Sequence, residues 1–146
     1  QSDTVTVTFP ALSHRLLVIN STAAPGATEH VIPIGFTSFE PMGGVQFSIA
    51  LDPSVLTVDS ISSEGRAPSA PFSEVSDNGQ VDIVLVDLSG DPIPEGSDVV
   101  INIYTSVSAQ ATAQDVALTL SDVEVANQAG NPVGVILQNG TVEIRE

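Results

Sequence analysis

The stretch Gly-Val-Gln-Phe-Ser-Ile-Ala-Leu-Asp at residues 44–52 decides the fold class of this chain. Its apolar side chains recur at every second position from Val45 to Leu51, with small or polar residues between them. Because side chains alternate between the two faces of a β-strand, this pattern predicts a strand with one buried and one open face. The open face carries Gln46, Ser48, Ala50 and Asp52.

The same alternation recurs along the rest of the chain, in segments rich in Val, Ile and Thr that are separated by turn-forming residues. Asn78-Gly79 is the strongest turn signal, because this dipeptide favours a β-hairpin. No long segment repeats apolar residues with the period of about 3.6 that a helix requires. The sequence therefore predicts one all-β sandwich domain over residues 1–146. Further strands are expected at residues 4–9, 16–20, 28–36, 56–61, 72–76, 81–88, 99–107, 116–126, 133–138 and 141–144.

The sequence also predicts the positions of three individual residues. Pro33 interrupts an alternating strand, and proline has no N–H to donate to a neighbouring strand. It is therefore expected at a sheet edge or at a β-bulge. The alternation in residues 99–107 predicts that Val99 points inward, and Phe72 likewise follows the inward phase of its strand.

The composition excludes several classes of function. Of the 146 residues, 42% are hydrophobic, which is enough to fill a core and argues against disorder. The 18 acidic and 3 basic residues give a formal net charge of −15, and lysine is absent. A chain this negative repels phosphate backbones and anionic lipid headgroups, so nucleic-acid and membrane-surface roles are not expected. The absence of cysteine excludes disulfides, thiol nucleophiles and cysteine metal sites.

Catalytic chemistry finds little support in the sequence. The two candidate bases, His14 and His30, are isolated, and structural roles are expected for both. No G-x-S-x-G motif is present. A pair of carboxylates for glycoside hydrolysis stays open, since any two of the 18 acidic residues can meet in a fold. Sugar binding also needs exposed rings, yet tryptophan is absent, and Phe39 and Tyr104 lie in different elements. No catalytic activity is predicted.

Acidic residues near two turns raise the question of a metal site. Asp77-Asn78-Gly79 precedes Asp82, and Asp87 precedes Asp91. Neither arrangement matches the D-x-[DN]-x-[DN]-G-x₅-E pattern of a calcium loop. Asp and Asn are also common turn residues, so turn formation is the favoured interpretation and no bound metal is predicted. A weak calcium site stays open as the alternative.

Several segments, taken in order, resemble a cohesin module. Ala-Pro-Gly-Ala-Thr at residues 24–28 precedes Val-Ile-Pro-Ile-Gly-Phe at 31–36, and residues 44–56 end in Asp-Pro-Ser-Val-Leu. The segment 79–90 ends in Asp-Leu-Ser-Gly. Each segment alone is weak evidence, but the segments occur in the order of the family pattern and together cover most of the chain. Three more match the last third of the family pattern: Leu-Thr-Leu-Ser-Asp-Val at 118–123, Gly-Asn-Pro-Val at 130–133 and Asn-Gly-Thr-Val at 139–142.

This resemblance implies a nine-stranded jelly-roll sandwich. Residues 1–15 lie outside the resemblance and are expected to form an added strand or a linker. The resemblance also implies a non-catalytic module, monomeric alone, that binds a calcium-loaded dockerin in an extracellular or cell-surface assembly. Calcium is then expected on the dockerin and no cofactor on this chain. A spacer or adhesin domain without a dockerin partner and a carbohydrate-binding module stay open as alternatives. The implied partner-binding residues are Gln46, Ser48, Ala50, Asp52, Asp82, Val84, Val86, Leu88, Asp91, Ala117, Thr119 and Ser121.

Overall fold

The computed structural model describes residues 14–65, 67, 71–86 and 91–146, and these residues contain β-strands and turns but no helix. The strand expected at residues 4–9 lies outside the described residues. The strands are β1 His14–Val18, β2 Ser21–Ala23, β3 His30–Ser38, β4 Met42–Ala50, β5 Leu56–Ser63, β6 Phe72–Val75, β7 Gln80–Val86, β8 Gly96–Val107, β9 Gln114–Asn127, β10 Pro132–Val133, β11 Val135–Gln138 and β12 Gly140–Ile144.

The strands form two sheets that pack into a sandwich. One sheet has five strands in the order β11-β1-β3-β8-β5. The other has seven strands, with the order β2-β12-β9-β4-β7-β6 and β10 paired to β9. Neighbouring strands are mostly antiparallel, and β1 with β11 and β12 with β2 are the parallel pairs. The prediction of an all-β sandwich is confirmed, and the number of strands is roughly that of the nine-stranded fold.

The core lies between the two sheets and follows the alternation that the sequence displays. In β7, Val81, Ile83 and Leu85 are fully buried, whereas the intervening side chains are only partly covered. Phe47 of β4 and Phe36 of β3 are the largest side chains of this core, one from each sheet. Burying such side chains is the main favourable contribution to the free energy of folding. Among these residues, no helix has the length and apolar character to cross a membrane.

The expectation for Pro33 is met in part. Its strand, β3, is not at an edge but lies between β1 and β8. A register shift does follow directly, between Ile34 and Gly35. The carbonyl of Pro33 accepts the N–H of Ile19 at 3.0 Å, so the backbone polar groups of this residue face β1. The last residue pair of the β1–β3 ladder is Val18 with Ile34, one residue short of Ile19 and Pro33. No hydrogen bond of that ladder therefore requires an N–H from Pro33.

The same irregularity overturns the expectation for Val99. Ile34 pairs with Ile101 and Gly35 with Val99, so Val100 has no partner across the ladder. This extra residue is a β-bulge, which shifts the side-chain alternation of β8 by one position. Val100 and Ile101 are consequently both buried, while Val99 is only half-buried.

Candidate protein-binding face

Nine of the predicted partner-binding residues lie together on the side of the seven-stranded sheet that faces away from the core. On β4 and β7, Gln46 pairs with Val84 and Ser48 with Asp82, and directly paired residues share one face of a sheet. On the other side of β4, Ala50 pairs with Thr119. We call this surface the outer face; its predicted members are Gln46, Ser48, Ala50, Asp82, Val84, Val86, Ala117, Thr119 and Ser121. Their role in partner binding stays a prediction.

The apolar part of the outer face is centred on Val84 and Val86. Both valines are half-exposed, although their neighbours Ile83 and Leu85 in β7 are fully buried. Val86 lies opposite Gly44, which in turn lies opposite Ala126 on β9. Because Gly44 and Ala126 are small, a shallow apolar depression forms beside the two valines. Such a small apolar centre is typical of the core of a protein–protein contact.

Phe72 belongs to this apolar part, although the sequence pattern places it inward. Its ring is 52% exposed, and it pairs with Val84 across the β6–β7 hairpin. Since Val84 is on the outer face, Phe72 is too. The reason is the position of β6 at the edge of the sheet: all four of its residues are exposed. The expectation of an inward Phe72 is therefore wrong, and the outer face gains an aromatic ring.

A polar row runs across the outer face beside these apolar residues. Ser48 is 6% exposed, and its hydroxyl donates to Oδ1 of Asp82 at 2.5 Å. The side-chain amide of Gln80 donates to the same oxygen at 2.9 Å. The hydrogen bond from Gln80 and then that from Ser48 lower the pKa of Asp82, because both stabilise the ionised carboxylate. Asp82 is therefore a fixed negative charge within the sheet, between Ser48 and Glu74, rather than at its rim.

These two donors lead to a testable prediction about the carboxylate. Replacing Gln80 with Ala is expected to move the pKa of Asp82 up toward its ordinary value, and replacing Ser48 with Ala is expected to do the same. A lowered pKa in the folded state stabilises the fold above the unfolded-state pKa. This contribution disappears as the pH falls through the folded-state value. An NMR titration of the carboxylate carbons measures the shift.

Asp52 is the internal control for that titration. Its Oδ1 accepts the backbone N–H and the hydroxyl of Ser54, at 2.9 and 2.6 Å, and the hydroxyl and then the backbone bond lower its pKa. Neither replacement touches these bonds, so the pKa of Asp52 is expected to stay unchanged. An Asp82 pKa that does not move in either variant contradicts the prediction.

Two further predicted residues, Asp52 and Asp91, are more peripheral. Asp52 is exposed in the turn that follows β4. Asp91 is exposed two residues before Ile93, which bridges Met42 at the beginning of β4. Leu88 lies outside the described residues.

The two histidines make structural contacts. Nδ1 of His14 accepts the backbone N–H of Phe39 at 3.2 Å, and its ring packs against the Phe39 ring. Nε2 of His30 is 2.8 Å from the hydroxyl of Ser21, and burial lowers the pKa of His30. Neither contact involves the outer face. The two histidines are the first residues of β1 and β3.

The turn at residues 77–79 uses its polar groups internally. Oδ1 of Asn78 accepts the backbone N–H of Gln80 at 3.1 Å, which is the bond expected of an Asx turn. Gly79 has a φ of 88°, a conformation that favours glycine. Within the part of the chain that the structure describes, no three His, Cys, Asp or Glu side chains are grouped to hold a metal ion.

Comparison with known proteins supplies the family. The cohesin domain model matches residues 17–144. This chain belongs to the cohesin family. Cohesins are non-catalytic recognition modules, and in relatives this fold binds dockerins. No curated protein matches the chain.

Solved cohesin structures share the fold at low sequence identity. The chain is 21% identical to CaCohA2 of Clostridium acetobutylicum in its complex with a variant of CaDoc0917, with a TM-score of 0.84 and 91% of this chain and 100% of that chain covered. It is 16% identical to a chain of the type I Coh-OlpA–Doc918 complex of Clostridium thermocellum, with a TM-score of 0.85 and coverages of 92% and 100%. A non-cellulosomal cohesin from the hyperthermophilic archaeon Archaeoglobus fulgidus is 20% identical, with a TM-score of 0.79 and coverages of 92% and 93%.

Proposed function

We propose that this cohesin binds a dockerin-type module through its outer face. The observation that carries the proposal is the group of half-exposed and exposed apolar side chains at Phe72, Val84 and Val86 on the outer face. Complexes of related cohesins with dockerins support a partner of this class. Contacts of this kind combine a desolvated apolar centre with a polar surround, which the outer face provides.

The partner in this proposal is a small helical module whose own fold requires bound calcium. The cohesin then contributes no metal ligand and no catalytic group, and it acts as a preformed sheet surface. We further propose that it works as a monomer in an extracellular or cell-surface assembly, in keeping with its family. Specificity in such a pair comes from the side chains on the sheet rather than from the fold.

Calcium removal tests this proposal. The probes are the dockerin modules encoded in the same genome as this chain, produced as purified recombinant proteins. At least one is expected to bind in the presence of calcium. A chelator is expected to abolish that binding and added calcium to restore it, because unfolding of the partner removes its contact surface.

The cohesin itself serves as the control, since its melting temperature is expected to be the same with and without the chelator. A complex that survives calcium removal contradicts the expected chemistry of the partner. If no dockerin binds, the proposed function is wrong.

A second candidate is a cohesin-like spacer or adhesin domain without a dockerin partner. The similarity to a non-cellulosomal cohesin from Archaeoglobus fulgidus supports this second candidate. A carbohydrate-binding role finds less support. Phe72 is the one exposed ring of the outer face among the described residues, and Tyr104 is half-buried on the other sheet. A row of rings for sugar stacking is thus missing from the described part of that face.

A further inference from the structure

Four residues of the β6–β7 hairpin form a compact block on the outer face, which we call the hairpin block. Phe72 pairs with Val84, and Glu74 pairs with Asp82. Phe72 and Glu74 are two positions apart on β6 and therefore point to the same side. The hairpin block consequently places an apolar pair directly beside an acidic pair.

The acidic pair brings two negative charges together on neighbouring strands. Like charges directly opposite one another on neighbouring strands destabilise a sheet. No lysine or arginine occurs in β4, β6, β7 or β9, and no described cation pairs with Glu74 or Asp82. A cation placed between the two carboxylates would relieve this repulsion.

The position of the Asp82 carboxylate is already fixed. Oδ1 accepts hydrogen bonds from Ser48 and Gln80, whereas Oδ2 accepts none from the residues that the structure describes. The carboxylate therefore loses little conformational freedom when a ligand binds to Oδ2. The neighbouring Phe72 ring, 52% exposed, offers an apolar surface next to this acceptor.

Building on the function proposed above, we propose that the hairpin block receives a lysine or arginine side chain from the dockerin-type partner. The apolar stem of that side chain packs against Phe72 and Val84, and its charged head lies between Glu74 and Asp82. Lys and Arg combine an apolar stem with a cationic head, so they match the block better than an apolar residue does. The ring of Phe72 adds a favourable cation–π contact.

The net charge of the chain supports the same partner chemistry. With a formal charge of −15, the cohesin attracts a partner with a basic contact surface and repels an acidic one. Attraction of this kind accelerates association and weakens as salt concentration rises.

The test uses a recombinant dockerin that binds in the calcium experiment. Replacing Glu74 with Gln is expected to weaken binding about fivefold at low salt, with the effect shrinking at high salt. Asp115→Asn is the matched control. It also removes one negative charge from an exposed position on the same side of the sheet, opposite Glu143 and away from the hairpin block. This variant is expected to change affinity less than about twofold.

Two further measurements identify the contact itself. Phe72→Ala is expected to weaken binding about tenfold, because it removes the exposed ring from the apolar pair. Each lysine and arginine on the dockerin is then replaced by glutamine and combined with Glu74→Gln. One of these combinations is expected to be non-additive, which is the signature of a direct contact.

The outcomes separate this inference from the proposed function. Equal effects of Glu74→Gln and Asp115→Asn show only a response to net charge and overturn the inference. Strictly additive combinations with every partner cation also overturn it, while the bound dockerin keeps the proposed function in place. If no dockerin binds, the proposed function fails and the inference fails with it.

Discussion

Val84→Asp is expected to abolish dockerin binding while leaving the fold intact. Val84 is half-exposed at the centre of the apolar part of the outer face, between Gln46 on β4 and Phe72 on β6. In the free cohesin the new carboxylate is solvated, so it costs the fold little. In a complex it replaces the apolar surface against which the partner packs and is desolvated there, which weakens binding by at least about 30-fold, or about 2 kcal/mol.

Two variants control for this experiment. Ile83→Asp places the same charge one residue earlier, in a fully buried side chain, and is expected to unfold the domain. Thr57→Asp adds the charge at an exposed position of β5 in the other sheet and is expected to keep both fold and binding. Binding is measured by calorimetry and folding by thermal melting.

Each unexpected outcome has a definite meaning. If Val84→Asp binds the dockerin normally, the contact surface lies elsewhere on the cohesin. If Val84→Asp unfolds like Ile83→Asp, the side chain belongs to the core, and the assignment of β7 residues to the two faces is wrong.

The strands that carry the outer face could be predicted from the sequence because their alternation is uninterrupted. In β7, the apolar residues at 81, 83 and 85 are fully buried, and the predicted positions at 82, 84 and 86 are not. β4 follows the same rule, apart from Ser48, which is buried on the outer side by its contact with Asp82. Alternation identifies the face of a side chain, but it does not tell how closely neighbours cover it.

The position of Phe72 could have been inferred from the hairpin rather than from its own strand. The turn is centred on residue 78, so Phe72 and Val84 are each six residues from the centre and must pair. An outward Val84 therefore implies an outward Phe72. The four-residue strand β6 is too short for alternation to decide its phase, and its edge position leaves both phases exposed.

A β-bulge explains the difference at Val99, because a bulge breaks the period of two. In β8 the extra residue is Val100, and nothing in its local sequence distinguishes it from its neighbours. In β9 a signal does exist: the buried positions change from Leu118 and Leu120 to Val125, an odd spacing. Asp122, with a φ of 50°, lies at this change of phase.

Phe47→Ala is expected to destabilise the domain by about 3–5 kcal/mol, the usual cost of removing a buried phenylalanine. The ring of Phe47 is 1% exposed and is among the largest side chains of the core. A domain of this size is stable by only about 5–15 kcal/mol, so the loss is a large share of the total. Chemical denaturation measures it, and Gln46→Ala, at the exposed neighbouring position, is expected to change stability by less than about 0.5 kcal/mol.

This substitution also separates the two sides of β4. Gln46 and Ser48, which flank Phe47, belong to the outer face, while Phe47 itself contacts only the core side. At a temperature where Phe47→Ala is still folded, its affinity for a dockerin is therefore expected to stay within about threefold of wild type, because no contact residue is removed. A stability loss below about 1 kcal/mol contradicts the assignment of Phe47 to the core. A loss of affinity in the folded variant instead shows that packing beneath the sheet sets the shape of the outer face.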